Sequence, residues 1–365
     1  MNVPDLRACF ASTYREAREK FLATATAVGA TIESHVHPSA RGAEGETLAV
    51  DTALIGKPDA RALICMLSGT HGAEGFCGSG IQVGLMNDPS VRAALERSGA
   101  ALLLYHAVNP YGFSHLHRTN EENIDLNRNF RDFGQPLTRN EAYAEVHGFM
   151  VPSTWPPSPE NEAKLGAYVA AKGALALQAA TSGGQCDYPD GLFFGGRAAA
   201  WSNTTQRSVM RTLAATRKKL VWLDIHTGLG PWGHAEKILS GPNDPALIAR
   251  SRAWWGNDVT SFYDGSSTSA VLTGVNFQAA LEECPRVEYT GIALEYGTLP
   301  VMEVLGALRA DAWLRGHADA PAPLRTAIKH AVRNAFYGDT DEWRGQVYGQ
   351  ARAALFQAFN GVRSA

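Results

Sequence analysis

Two short stretches of this 365-residue chain carry side chains whose types and spacing could hold a metal ion. In SGTHGAEGFCGSG, His71 and Glu74 lie three residues apart, just beyond an apolar run that ends near Ser68. That spacing lets an imidazole and a carboxylate converge on one ion from a tight turn entering a helix. The second stretch is the end of LVWLDIH, where His226 closes another apolar run ahead of TGLGPWG. Together His71, Glu74 and His226 make a set of two imidazoles and one carboxylate with a fourth position open. This is the ligand pattern of a catalytic zinc, one per chain, and not of a closed structural site. The bland alternative is that H-x-x-E arises by chance and that a strand-end histidine is a satisfied core group. A thiol alternative starts from Cys77, close to His71. However, GFCGS is not the G-x-nucleophile-x-G elbow, and a cysteine in so apolar a helix start reads as packing.

The elements that must position these residues alternate between strand-like and helix-like. MNVPDLRACFASTYREAREKF reads as an amphipathic helix, and ATIESHVHP and ETLAVDTALIG as strands around the turn RGAEG. ARALICMLSG is a nearly continuous apolar run and fits a buried central strand. FCGSGIQVGLMNDPS then reads as a helix stopped by Asn-Asp-Pro, and AALLLYHAV as a second buried strand closed by NPYG. LVWLDIH and VEYTGIALEYG supply two more strands, with helices over about 157–181, 199–218 and 244–256 and three after Pro300. Strands separated by helices predict an α/β fold, a three-layer α/β/α sandwich around a mixed, mostly parallel sheet. In such sheets ligands bind at the C-terminal strand ends, where His71 and His226 fall. We expect one catalytic domain over residues 1–365, with an insertion or lid at about 131–200 and a helical finish from about 301. The aromatic content of YPDGLFF is too high for a free linker. Trp313, Phe336, Trp343 and Phe356 of the tail read as core or subunit contacts, which leaves a homo-oligomer open.

Composition narrows the partners. Lys+Arg 33 against Asp+Glu 36 gives a net charge of −3 with no basic stripe, so nucleic acid and anionic membranes are not expected partners. Hydrophobic residues make up 45% of the chain, enough for a sizeable core. No apolar stretch approaches a transmembrane span of about 18 residues. The five cysteines (Cys9, Cys65, Cys77, Cys186 and Cys284) are scattered, without a C-x-x-C pair. A reduced, cytoplasmic protein is the expectation.

A third cluster, NPYGFSHLHRTNEENIDLNRNF, turns the metal reading into a specific one. With it the chain resembles the zinc carboxypeptidase superfamily, including relatives of succinylglutamate desuccinylase and aspartoacylase. That superfamily carries an H-x-x-E pair, an N-P-x-G turn, an Arg, D-L-N-R, a distant His and a late Glu. Here the series is His71, Glu74, Asn109-Pro110, Arg118, Asp125-Leu126-Asn127-Arg128, His226 and Glu295, spanning roughly Arg61 to Thr298. The H-G-x-E-G-F-x-G-S form is similar to an uncharacterised bacterial branch. The resemblance implies a zinc carboxypeptidase-like fold with His71, Glu74 and His226 as ligands and Glu295 as general base. It implies Arg118 as the oxyanion-stabilising group and Asn127 with Arg128 as the anchor of a substrate carboxylate. Tyr263, Tyr289 and Tyr296 compete for the substrate-contacting tyrosine that peptidases of the family carry before the base.

The residue types suit those roles. A carboxylate can take a proton from water and pass it to a leaving nitrogen, and an arginine offers fixed charge to a developing oxyanion. The planar fork of Arg128 matches a carboxylate. Asp125 is placed to accept from the free nitrogen of His71, and Asp224, two residues before His226 on one strand face, to play a lesser supporting part. The blander roles are surface ion pairs for Arg118 and Arg128 and a helix cap for Asp125. His115 and His117 could line the pocket; His35, His37, His106, His147, His234, His317 and His330 lack partners in sequence.

The expected activity is hydrolysis of amide bonds by zinc-activated water, carboxypeptidase-like, on a C-terminal residue or carboxylate-bearing amide. Deacylation of N-acyl amino acids or related small amides is the alternative, favoured if the 131–200 segment closes a small pocket. A non-catalytic metal-binding protein that recognises carboxylates belongs to another class, and retention of Glu295 argues against it. The expected partner is thus a small peptide or N-acyl amino acid.

Overall fold

The computed structural model describes residues 4–137 and 139–363. Eight strands form one sheet: β1 (Thr31–Arg41), β2 (Thr47–Ile55), β3 (Ala62–Leu67), β4 (Ala101–His106), β5 (Lys219–Trp232), β6 (Ala235–Leu239), β7 (Val259–Thr260) and β8 (Glu288–Gly297). Their order is β1-β2-β4-β3-β5-β8-β6-β7. The four middle strands, β4, β3, β5 and β8, run parallel, with antiparallel β2 and β6 against their two edges. All residues of β3 and β4 are buried, which is why their sequences are unbroken apolar runs and not alternating ones. The architecture is the expected α/β sandwich on a mixed sheet.

Local chemistry corrects several boundaries. The N-terminal stretch is two helices, Leu6–Cys9 and Tyr14–Ala27, not one. The Thr13 hydroxyl accepts from Glu16 N–H, and the Glu16 carboxylate reaches back to Ser12, so a capping box restarts the helix at Tyr14. Asn-Asp-Pro ends the helix Gly75–Met86 and at once begins another, Pro89–Ser98, with the Asp88 side chain accepting from Ser90 N–H and Pro89 in the first turn. The helix expected over about 157–181 is broken at Gly173 into Pro159–Lys172 and Ala174–Ser182. Strands β6 and β7 and the helix Phe277–Glu283 are too short to carry a clear period, whereas the helix Glu141–Met150 does bury Tyr143, Val146, Phe149 and Met150 at helical spacing inside the stretch expected only as an insertion. The tail does form three helices, Val301–Arg315, Ala322–Phe336 and Asp341–Arg363.

Most of the sheet and its covering helices share one apolar core. A second cluster joins the 131–200 segment to the tail: Tyr143, Val146, Leu177 and Phe193 pack with Val304, Leu308 and Phe336. The segment is thus fastened over the C-terminal strand ends by burial of its own aromatic side chains. Phe336 and Trp343 lie in the core, Trp313 packs in a third small cluster, and Phe356 lies against the main one. Among the described residues no helix is long and apolar enough to cross a membrane.

Candidate metal centre

Strand β3 ends at Leu67, and the chain then turns through Gly69, whose φ of +63° is a left-handed conformation that suits glycine. Between His71 and Glu74 runs a single 3₁₀ turn, Gly72–Glu74. A Cβ at Gly72 would lie 2.0 Å from the carbonyl carbon of Gly112, so the spacer residue must lack a side chain. The close approach lets Gly72 N–H and Ala73 N–H donate to the carbonyls of Arg118 and His117, at 3.1 and 2.9 Å. Asn109 holds the other side of this seam, its Oδ1 accepting from Gly112 N–H and its Nδ2 donating to Arg118 O. The N-P-x-G turn is therefore the brace that carries Arg118 to the H-x-x-E turn.

His71, Glu74 and His226 meet in the interior. His71 Nδ1 lies 2.7 Å from Glu74 Oε1, His226 Nδ1 3.0 Å from Glu74 Oε2, and the two Nδ1 atoms 3.3 Å apart. One ligand atom from each lies within 4.8 Å of the others. Thr227 N–H donates to Glu74 Oε2 at 3.1 Å and fixes the carboxylate from β5. Behind His226, Asp224 Oδ2 sits 2.8 Å from Nε2, so a proton on Nε2 leaves Nδ1 free as a ligand. Asp224 is held in turn by Thr70 Oγ1 at 3.1 Å and Asn276 Nδ2 at 2.6 Å. Asn276 had no signal in the sequence.

Asp125 caps a turn and faces the far nitrogen of His71. Its Oδ1 accepts from Asn127 N–H at 2.9 Å, capping the 3₁₀ turn Leu126–Arg128, and lies 3.3 Å from His71 Nε2. Its Oδ2 accepts from Arg118 Nε at 3.0 Å. Arg118 also reaches Glu74 Oε1 at 3.3 Å and lies 2.7 Å from His71 Nε2. That last contact requires an unprotonated Nε2. The tautomer that frees Nδ1 for a metal puts a hydrogen on Nε2, turns it to Asp125 and releases one arm of Arg118.

Burial favours protonation of Glu74, but the two imidazoles outweigh it and hold the carboxyl well below the ordinary range. Burial likewise opposes charge on Asp125, and Arg118 and His71 overcome it. His226 is held above its usual value because Asp224 and Glu74 outweigh the desolvation that lowers it. Glu295, on β8, goes the other way: burial, then the charge of Glu74, push it up to about 8. Its Oε1 accepts from Leu229 N–H at 3.0 Å. Glu74, Asp125 and Asp224 gather around His71, His226 and Arg118 with Glu295 beside them, a carboxylate-rich setting in which a dication could take the place of the imidazole protons. Two imidazoles and a carboxylate fit zinc among the common dications.

His71, Glu74, Asp224, His226 and Glu295 form the floor of a cavity of about 320 Å³. Its walls come from Leu177 and Phe193 of the 131–200 segment, Phe262 and Leu272 of the loop after β7, and Val304 and Leu308 of the tail. Asn127 and Arg128 also line it, but Arg128 is largely engaged. Its Nε and Nη2 donate to Ser182 O at 3.0 and 2.6 Å and its Nη1 to Asn127 O at 2.7 Å, leaving at most two of five N–H groups for a ligand. Burial brings it down to about 10. Phe193 lies against both arginines, 4.8 Å from Arg118 and 5.5 Å from Arg128. None of Tyr263, Tyr289 and Tyr296 lines the cavity; its aromatic wall is Phe193, Phe262, Phe277 and Phe336. His115 stacks on Tyr111, and His117 is buried on Asp311 and Lys329, both away from the cavity. Cys77 is fully buried and its thiol is pushed well above the usual range by that burial, so a thiolate nucleophile is not available there.

Curated protein sequences give no match. Bovine thrombin-activatable fibrinolysis inhibitor, solved with tick carboxypeptidase inhibitor, is similar over 98% of this chain and 99% of its own, at 10% identity and a TM-score of 0.50. Carboxypeptidase A from Helicoverpa armigera is similar over 89% of this chain and 74% of its own, at 14% identity and a TM-score of 0.43. A metallo-carboxypeptidase from Pseudomonas aeruginosa covers 88% of this chain and 67% of its own, at 15% identity and a TM-score of 0.39. The likeness to the fibrinolysis inhibitor is one of fold, and the fold is carboxypeptidase-like. A family model described as "Protein of unknown function (DUF2817)" matches residues 10–350, and the chain belongs to that family.

Proposed function

We propose that this chain is a zinc-dependent hydrolase of carboxylate-bearing amides, with His71, Glu74 and His226 as the ligands. The observation that carries the reading is the convergence of two imidazole Nδ1 atoms and one carboxylate at the floor of a cavity, with Glu295, which makes no ion pair among the described residues, beside them. When bound, zinc supplies a Lewis acid and lowers the pKa of water to roughly 7. Glu295 takes a proton from the attacking water and returns it to the leaving nitrogen. Its raised affinity for protons suits the second half of that task, and neutralisation of the nearby charge suits the first. Arg118, freed on one arm when His71 adopts its ligand tautomer, donates to the oxyanion as it forms. Asn127 and the remaining donors of Arg128 hold the substrate carboxylate.

Between a peptide and a small amide, the enclosure favours the small amide. The 131–200 segment supplies one wall and is packed onto the tail, which narrows the approach for an extended chain. Metal analysis of the purified protein, followed by assay of C-terminally varied peptides and N-acyl amino acids on the zinc-loaded chain, tests both levels. Zinc near one per chain with cleavage of either class supports the reading; metal-free protein that takes up no zinc, or turnover indifferent to chelation, ends it.

A further inference from the structure

Apart from the floor residues and the two arginines, Arg118 and Arg128, no charged side chain among the described residues lines the cavity. Leu177, Leu239, Phe262, Leu272, Val304 and Leu308 occupy the walls. The apolar surface also does not stop at the mouth. Leu175, Val301 and Met302 line the cavity and are 82%, 53% and 50% exposed, and Val271 beside Leu272 is 62% exposed. These residues come from three separate stretches, the helix Ala174–Ser182, the loop after β7 and the start of the helix Val301–Arg315. A single benzene ring is housed by a cavity of about 150 Å³. A volume of about 320 Å³ with an apolar rim continuing to the surface is more than one C-terminal side chain would fill.

We infer that the substrate is an N-acyl amino acid whose acyl group is an aliphatic chain of medium length, lying along the walls with its end at the Leu175–Met302 rim. The inference rests on the amide-hydrolase reading only for the bond at the floor; the apolar path itself does not depend on turnover. Hydrolysis adds water across the amide, breaking the C–N bond to give a fatty acid and a free amino acid, with no oxidant or other reactant. A medium-length chain is recognised by burial alone, which scales with methylene count, and so requires no polar wall.

The test is a binding series on the metal-free, chelator-treated protein, using N-butanoyl-, N-hexanoyl-, N-octanoyl- and N-decanoylglycine in a titration calorimeter. Each methylene that enters the apolar path should tighten binding by about three- to fourfold. Leu175→Asp and Met302→Asp, both at exposed positions, should weaken the decanoyl compound at least tenfold more than the butanoyl one. A flat series overturns the inference, as does tighter binding of benzoylglycyl-phenylalanine than of any acylglycine, which would make the cavity a peptide site. If the two variants leave the series intact but convert a dimer to a monomer, the rim is a subunit interface and the inference falls. Loss of zinc binding with a steep chain-length series would instead defeat the hydrolase reading and leave the apolar path standing.

Discussion

Glu295 and His226 are register partners in the parallel pair β5–β8, so a candidate base and a candidate ligand leave adjacent strands at the same level and on the same face. Two residues earlier on β5, Asp224 shares that face and bonds the far nitrogen of His226. One strand pairing therefore places three of the working side chains without help from loops.

The ligand set predicts that purified protein binds about one zinc per chain and that His71→Ala and His226→Ala each abolish it while far-ultraviolet dichroism is retained. Asp224→Asn should weaken zinc by about 10- to 100-fold, because an amide no longer fixes the proton on His226 Nε2. Full occupancy in both alanine variants, measured by elemental analysis, would remove the assignment.

Glu295→Gln keeps the size and the acceptor for Leu229 N–H but cannot take a proton. It should retain zinc and lose at least about a hundredfold in kcat. A rate within a few-fold of the parent, or loss of the metal, would exclude the role.

The raised proton affinity of Glu295 has a consequence for the metal-free protein. An unfolded glutamate titrates near 4.5 and the folded one near 8, so between these values the folded state holds a proton that the unfolded state has released. Its contribution to stability is complete below 4.5 and is lost as pH rises toward 8. Glu295→Gln does not titrate, so its gain in Tm over the parent should grow from pH 5 to pH 8 in chelator. Added zinc, by favouring the charged carboxylate, should shrink that gain. A difference in Tm that does not vary with pH would count against the burial argument.

Arg118 and Arg128 should fail differently. Arg118→Ala removes charge needed as the oxyanion forms, so kcat should fall more than KM rises. Arg128→Ala should chiefly raise KM, and because its guanidinium also holds Ser182 O, limited proteolysis of the 131–200 segment should speed up as well. Lysine at position 128 should recover only part of either effect, since a point charge cannot span two acceptors. If amidated substrates are cleaved as fast as free acids by the parent, Arg128 serves the segment alone.

The ligand candidates were legible because each is set by a local device. His71 and Glu74 share one turn after a buried strand, His226 ends another, and Asp125 through Arg128 form a single capped 3₁₀ turn. Such spacing survives in the sequence because short-range geometry alone produces it. The parallel centre of the sheet was legible for a similar reason, in the unbroken apolar runs of β3 and β4. What surrounds those residues was not. That Arg128 spends its fork on Ser182, that Asn276 braces Asp224, that Phe193 lies against both arginines and that His117 is buried on Asp311 instead of facing substrate are contacts between distant segments. No periodicity or spacing encodes them; they exist only once the 131–200 segment and the tail have buried a common apolar cluster over the strand ends. The sequence by itself determined which side chains could bind a metal, while the docking of that cover decided the shape and the apolar character of the space they face.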